Sequence, residues 1–206
     1  MLFVLTGEVQ TGKTRWLEAL VHDLEGAGVT PYGVIAPGVW ADHRNDPEPS
    51  EHVDANGFEK LGIDNALLPS HERIAFARRA DLAESANEFD PQSQSARAGL
   101  HWHISDDAIA RVNAHFKKVA PSLSAKGSKG LLIVDELGQL ELKRNGGLTE
   151  AVALLEAGPF PAAGHALIVV RETLLPLIEG RFCGWGERVR IAPTEKSRAL
   201  ILESLS

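Results

Sequence analysis

The chain has 206 residues, 44% of them hydrophobic, which is enough apolar material for one core of generous size and too little for two independent domains. A formal net charge of −7 and an isoelectric point near 5.6 exclude a general attraction for polyanions, and no local basic patch offsets it, so nonspecific nucleic-acid binding is not expected. The lone Cys183 excludes an intramolecular disulfide and is expected as a buried free thiol in a reducing compartment. No run approaches the roughly 18 apolar residues of a membrane span, and Met1 leads straight into apolar sequence without a basic leader, so a cytoplasmic protein is expected.

Residues 2–6 form a short apolar run stopped by Gly7, the pattern of a buried strand. From Lys13 the period becomes helical through Trp16, Leu17, Leu20, Val21 and Leu24, and Gly26 and Gly28 end it. Residues 29–35 read as a second strand, 41–57 as an exposed loop, and 58–63 and 74–78 as further strands. Residues 80–99 are small and polar and read as an irregular connection. Ser105 is an N-cap for a helix carrying Ile109, Val112, Phe116 and Val119 up to Pro121, with Asp106 and Asp107 at its positive end. A linker over 122–130 leads into the apolar strand 131–134. Then come a helix around Leu148, Val152 and Leu155, a strand over 166–170, a helix over 174–178, a strand over 188–192 and a final helix over 194–205. This α/β alternation predicts a mostly parallel sheet with helices on both faces. The whole chain is expected to be one domain, with a lid or insertion at about 36–110.

Gly7-Glu8-Val9-Gln10-Thr11-Gly12-Lys13-Thr14 matches GxxxxGK[ST] completely and lies between a strand and a helix, as a phosphate-binding P-loop requires. Glycines let successive N–H groups curl around phosphate oxygens, and the helix N-terminus adds partial positive charge. Lys13 is expected to reach the β- and γ-phosphates of ATP or another nucleoside triphosphate. The Thr14 hydroxyl is placed for Mg²⁺, and Arg15 closes the nucleotide-binding segment 7–15. The strand 131–134 delivers Asp135 and Glu136 at its carboxyl end, where α/β sheets bind ligands. Asp135 is the expected second metal ligand, and Glu136 the expected base that orients and deprotonates an attacking water.

The strand continues as Asp135-Glu136-Leu137-Gly138-Gln139-Leu140-Glu141-Leu142, which resembles the DEIGxMEL signature of the small cancer-related nucleoside-triphosphatase family first known from thermophiles. The opening residues 3–7, residues 33–39 and residues 56–79 are also similar to that family. The resemblance implies a RecA-like P-loop fold, slow Mg²⁺-dependent hydrolysis of several nucleoside triphosphates with little base selectivity, and a motif acid at Glu141. The chain departs from the family pattern at Arg15, where members usually carry Thr or Ser, and at Val9-Gln10, which stand for Pro-Gly. Leu137 and Leu140 replace Ile and Met with little change of volume. Of an Asn-Arg pair frequent in the last helix, only Arg198 is present.

Arg171 follows the strand 166–170 directly and is a candidate for contacting the γ-phosphate or the attacking water, against the alternative of a solvated strand end. Arg181, Arg188 and Arg198 are weaker candidates for that role. His101 and His103 alternate around Trp102 in a metal-like geometry that lacks a third ligand at a recognisable spacing. Trp40, Trp102 and Trp185 are capable of stacking on a base, but packing is the commoner use. Beside the hydrolase stand two other readings: a P-loop kinase with a small-molecule acceptor, and a nucleotide-dependent switch or assembly module with an unidentified protein partner.

Overall fold

The computed structural model describes residues 1–7, 11–48 and 50–205. In chain order the elements are β1 (Leu2–Leu5), α1 (Lys13–Gly26), β2 (Thr30–Ile35), β3 (Gly38–Asp42), β4 (Phe58–Leu68), β5 (Glu72–Arg79), α2 (Ala80–Ser85) and α3 (Gln94–Arg97). There follow β6 (Trp102–Ile104), α4 (Asp106–Leu123), β7 (Gly130–Leu137), α5 (Gln139–Lys143), α6 (Thr149–Ala157), β8 (His165–Val170), β9 (Arg188–Ile191) and α7 (Glu195–Ser204), with 3₁₀ turns at Glu172–Leu177 and Cys183–Trp185.

β1, β7 and β8 are apolar at successive positions because each feeds two cores. Phe3, Leu5, Leu131, Ile133, Leu167 and Val169 pack with Trp16, Leu17, Leu20 and Leu24 of α1. Leu2, Val4, Leu132, Val134, Ala166 and Ile168 face the other way, onto Val112 and Phe116 of α4 and Ala151 and Leu155 of α6. Full burial of one such side chain contributes about 1.5–3 kcal/mol. The resulting sheet runs β6-β5-β4-β2-β7-β8-β1-β9, with β3 paired to the outer half of β4. β2, β7, β8, β1 and β9 are mutually parallel, whereas β3 to β6 join antiparallel.

Several elements differ from the sequence expectation. Residues 80–99 carry two short helices rather than an irregular connection. Each buries only small residues, Ala83 and Ser95, and so shows no apolar period, and α3 is capped by Ser93, whose side chain accepts from the Ala96 N–H. α4 runs through Pro121 to Leu123, because fully buried Leu123 anchors the last turn and its carbonyl accepts from the Ala162 N–H at 2.9 Å. β3 takes Ala41 and Asp42 out of the expected loop, and the helix expected over 174–178 is a 3₁₀ segment. Cys183 is exposed rather than buried, its position set by the turn that buries Trp185 beneath it. His101 is exposed and lies outside β6, while His103 is buried with its ring 5.2 Å from that of Phe89. Among the described residues no group of three His, Cys, Asp or Glu is placed to hold a metal ion, and no helix is long and apolar enough to cross a membrane.

The antiparallel extension is tied down by a charged network in which Glu59 takes Arg79 at 2.7 Å and His43 at 2.9 Å, and Arg79 also takes Asp81 at 2.6 Å. The Arg79 guanidinium holds both carboxyls below their ordinary range. The seam between the two halves of the sheet lies at Gly33, paired with Leu68 across β2 and β4. Gly33 has φ +111°, and a Cβ there would stand 2.0 Å from the Ile133 carbonyl oxygen, so only glycine lets β2 close on β7. Buried His115 of α4 holds the same seam, its Nε2–H donating to the carbonyls of Gly33 and Leu68, both at 3.1 Å.

Gly33→Ala should lower unfolding stability by on the order of 3 kcal/mol in denaturant titrations, whereas Gly26→Ala, with open space around it, should be neutral or slightly stabilising. Desolvation lowers the His115 pKa below its ordinary 6.5, with nearby Lys118 acting in the same direction and Glu72 against it. The neutral ring is therefore the folded form. Its contribution is complete above about pH 6.5 and is lost as the pH falls through the lower folded value. Denaturation midpoints measured from pH 7.5 to 5 should fall for the wild type and fall less steeply for His115→Gln.

Candidate nucleotide site

The parallel strands end along one edge, and their register decides what meets there. Leu5 of β1 lies beside Val169 of β8, and Ile168 of β8 lies beside Val134 of β7. One strand thus separates the first loop from the acidic strand end, a span of about 10 Å at normal strand spacing. Gly7 and Lys13 rise on one side, Asp135 and Glu136 on the other, and Arg171 follows β8 between them.

Gly7, at φ +152°, and Gly12, at φ +78°, take backbone conformations natural to glycine. Gly12 is the N-cap of α1 and brings no side chain to occupy the first amides of the helix, which leaves them as donors for an anion. The Lys13 ammonium folds back across the loop, donating to the Gly7 carbonyl at 3.0 Å and meeting Thr11 Oγ1 at 3.4 Å. Thr14 is half-buried in the first turn of α1, and Arg15 points outward. The expected ligands Glu8, Val9 and Gln10 lie outside the described residues. The helix itself is fixed by its buried Trp16, whose indole N–H donates to the Thr194 carbonyl at 2.9 Å.

Asp135 is 2% exposed. Its Oδ2 accepts from the Ala36 N–H at 2.9 Å, a bond reaching from β7 to the residue that follows β2. Burial, and then the adjacent charge of Glu136, push its pKa up to about 7, while the backbone hydrogen bonds and the charge of Lys13 act against the rise. A buried carboxylate resisting ionisation is stabilised by a cation, so the donor set fits a hard metal ion. Thr14 and Asp135 would hold Mg²⁺. Glu136 is exposed and has φ +59°, unusual for a non-glycine residue, at an irregularity in the β7–β8 register between Val134 and Leu137. The bulge turns its side chain away from the alternation of β7.

Glu141 has a definite place. Its Oε2 accepts from the Gly138 N–H and its Oε1 from the Leu148 N–H, each at 2.9 Å, and burial raises its pKa. Sequence reasoning missed the Ala36 N–H, Gly138, Gln94 and Leu148. The first, second and fourth act through the main chain and leave no side-chain signal. The secondary candidates are engaged elsewhere. Arg198 joins Asp23 of α1 at 3.0 Å, Arg181 joins Glu156 at 2.6 Å, and Arg188 donates to the carbonyls of Glu179 and Arg181. Trp185 is buried and donates to the Leu155 carbonyl, whereas Trp40 and Trp102 flank the Lys60 ammonium at 5.9 and 5.2 Å.

No protein-family profile and no curated protein sequence matches the chain. Among solved structures it is similar to the crystal structure of THEP1 from the hyperthermophile Aquifex aeolicus, with a TM-score of 0.60 and 17% identity, over 100% of this chain and 97% of that one. It is also similar to the solution structure of a human cancer-related nucleoside triphosphatase, with a TM-score of 0.52 and 17% identity, over 98% and 93% of the two chains. Sheet, helical layers and these two likenesses together give the chain the fold of those structures, a mostly parallel α/β sheet with helices on both faces.

Proposed function

We propose that the chain binds a nucleoside triphosphate with Mg²⁺ and hydrolyses it to the diphosphate and phosphate, slowly and with broad base specificity. The observation that carries this reading is the convergence of Lys13 at the first helix and the Asp135-Glu136 pair at the bulged end of β7 on one edge of the sheet. The similar human protein is a nucleoside triphosphatase, which supports the nucleotide class.

Glycine-turned N–H groups of residues 7–15 cradle the phosphates, and the Lys13 ammonium exchanges its Gly7 carbonyl for β- and γ-phosphate oxygens. Mg²⁺, held by Thr14 and Asp135, would supply neutralisation of the phosphate charge. The Glu136 carboxylate orients a water and takes its proton as the water oxygen attacks the γ-phosphorus. The bond from the γ-phosphorus to the β–γ bridging oxygen breaks, and the electron pair leaves on the diphosphate. Arg171, at the end of the intervening strand, stabilises the charge gathering on the γ-phosphoryl oxygens. Residues 36–110 act as a lid or insertion of a single cytoplasmic domain, sprung from Ala36, whose N–H holds Asp135.

Phosphate release from ATP, GTP, CTP and UTP, with and without Mg²⁺, tests this directly. Lys13→Ala and Glu136→Gln should each slow release by at least about 10²-fold, Glu136→Gln while still binding nucleotide in a fluorescence titration. Tight binding without release by the wild type would sink the hydrolase reading and point to an acceptor other than water. Arg171→Ala should reduce kcat by about 10²–10³-fold with little change in nucleotide affinity, and an unchanged rate would remove Arg171 from the site.

A further inference from the structure

We infer that Glu141 is a positioning residue for the hydrolysis proposed above: its buried carboxylate fixes the turn that presents Glu136. The inference rests on that reading for its catalytic consequence and on geometry for its mechanism. Glu136 stands at φ +59°, a conformation that persists in a non-glycine residue only where its surroundings over-determine it. On its amino side the β7–β8 ladder pairs Val134 with Ile168, and on its carboxyl side Leu137 with Val170. Beyond Leu137 the chain turns into α5, and there the Gly138 N–H donates to Glu141 Oε2 at 2.9 Å.

The other oxygen, Oε1, accepts from the Leu148 N–H at 2.9 Å, where α6 begins. One carboxylate thus brackets the acidic turn against the start of the next helix, in a space with no room to spare. A Cβ on Gly147 would stand 1.9 Å from Glu141 Oε1. Gly147 is held in turn from two sides, its N–H donating to Gln94 Oε1 at 2.9 Å and its carbonyl accepting from Asn113 Nδ2 at 2.9 Å. Gln94 belongs to α3, so the segment 80–99 is joined to the acidic turn through this bracket. A glutamine at 141 presents one acceptor and one donor to two N–H donors, and one of the two bonds is lost.

Glu141→Gln should lower kcat for phosphate release by about 10–100-fold while leaving the nucleotide dissociation constant within about threefold, the split expected of displaced catalytic geometry. Hydrogen exchange should quicken at the amides of 137–138 by about tenfold, with the β1 and β8 amides unchanged. Gln94→Ala, which leaves the carboxylate in place, should show a smaller effect in the same direction and serves if Glu141→Gln does not fold. Unchanged kcat and exchange in a Glu141→Gln variant that folds would overturn the inference, as would a loss of affinity, rate and global exchange protection together, which is what a purely structural role gives. A wild type that releases no phosphate would refute the proposed hydrolysis instead, and the exchange comparison would still decide whether Glu141 holds the turn.

Discussion

A carboxylate with almost no access to water is the constraint on which the candidate site depends. Asp135 lies near the carboxyl end of a strand that is buried on both faces, so its charge lacks a solvent shell, and burial drives it toward the protonated form. An isolated carboxylate in that position would be a liability. The sheet meets it with a main-chain donor from Ala36 and with the charge of Lys13 across the edge. The same two-sided burial that gives the central strands their stability leaves their carboxyl ends as the place where polar chemistry is exposed.

Two seams keep that edge in register. One is at Gly33, where the absence of a side chain lets β2 approach β7 and the His115 imidazole ties the antiparallel extension to the parallel half. The other is the contact of α1 with α7, made by the Trp16 indole and by the ion pair of Arg198 with Asp23. Both determine the relative placement of the first loop and the acidic strand end, which lie on elements far apart in the chain.

Glu136 and Glu141 show how two acids in one motif take different work from their surroundings. Glu136 is exposed at a bulge, in a strained backbone conformation. Glu141 is buried, and each of its oxygens is committed to a backbone amide. Exposure gives one carboxylate reactive potential, and burial makes the other a clamp.

Much of this was legible in the sequence because it is local. The GxxxxGK[ST] run, the glycine stop after β1, the cap at Ser105 and the apolar strand before Asp135 are carried by side chains adjacent in the chain. Even so, residues 80–99 read as loop, because helices that bury only Ala83 or Ser95 leave no apolar period. Arg198 and Cys183 show the same limit: whether a residue is an ion-pair partner or an exposed thiol depends on what packs beside it. The insertion of β8 between β1 and β7, the Ala36 bond to Asp135 and the bracket of Glu141 were decided only by the tertiary structure. They are made between distant segments, largely through backbone N–H groups that every residue type except proline possesses, so no residue pattern records which of them will be used.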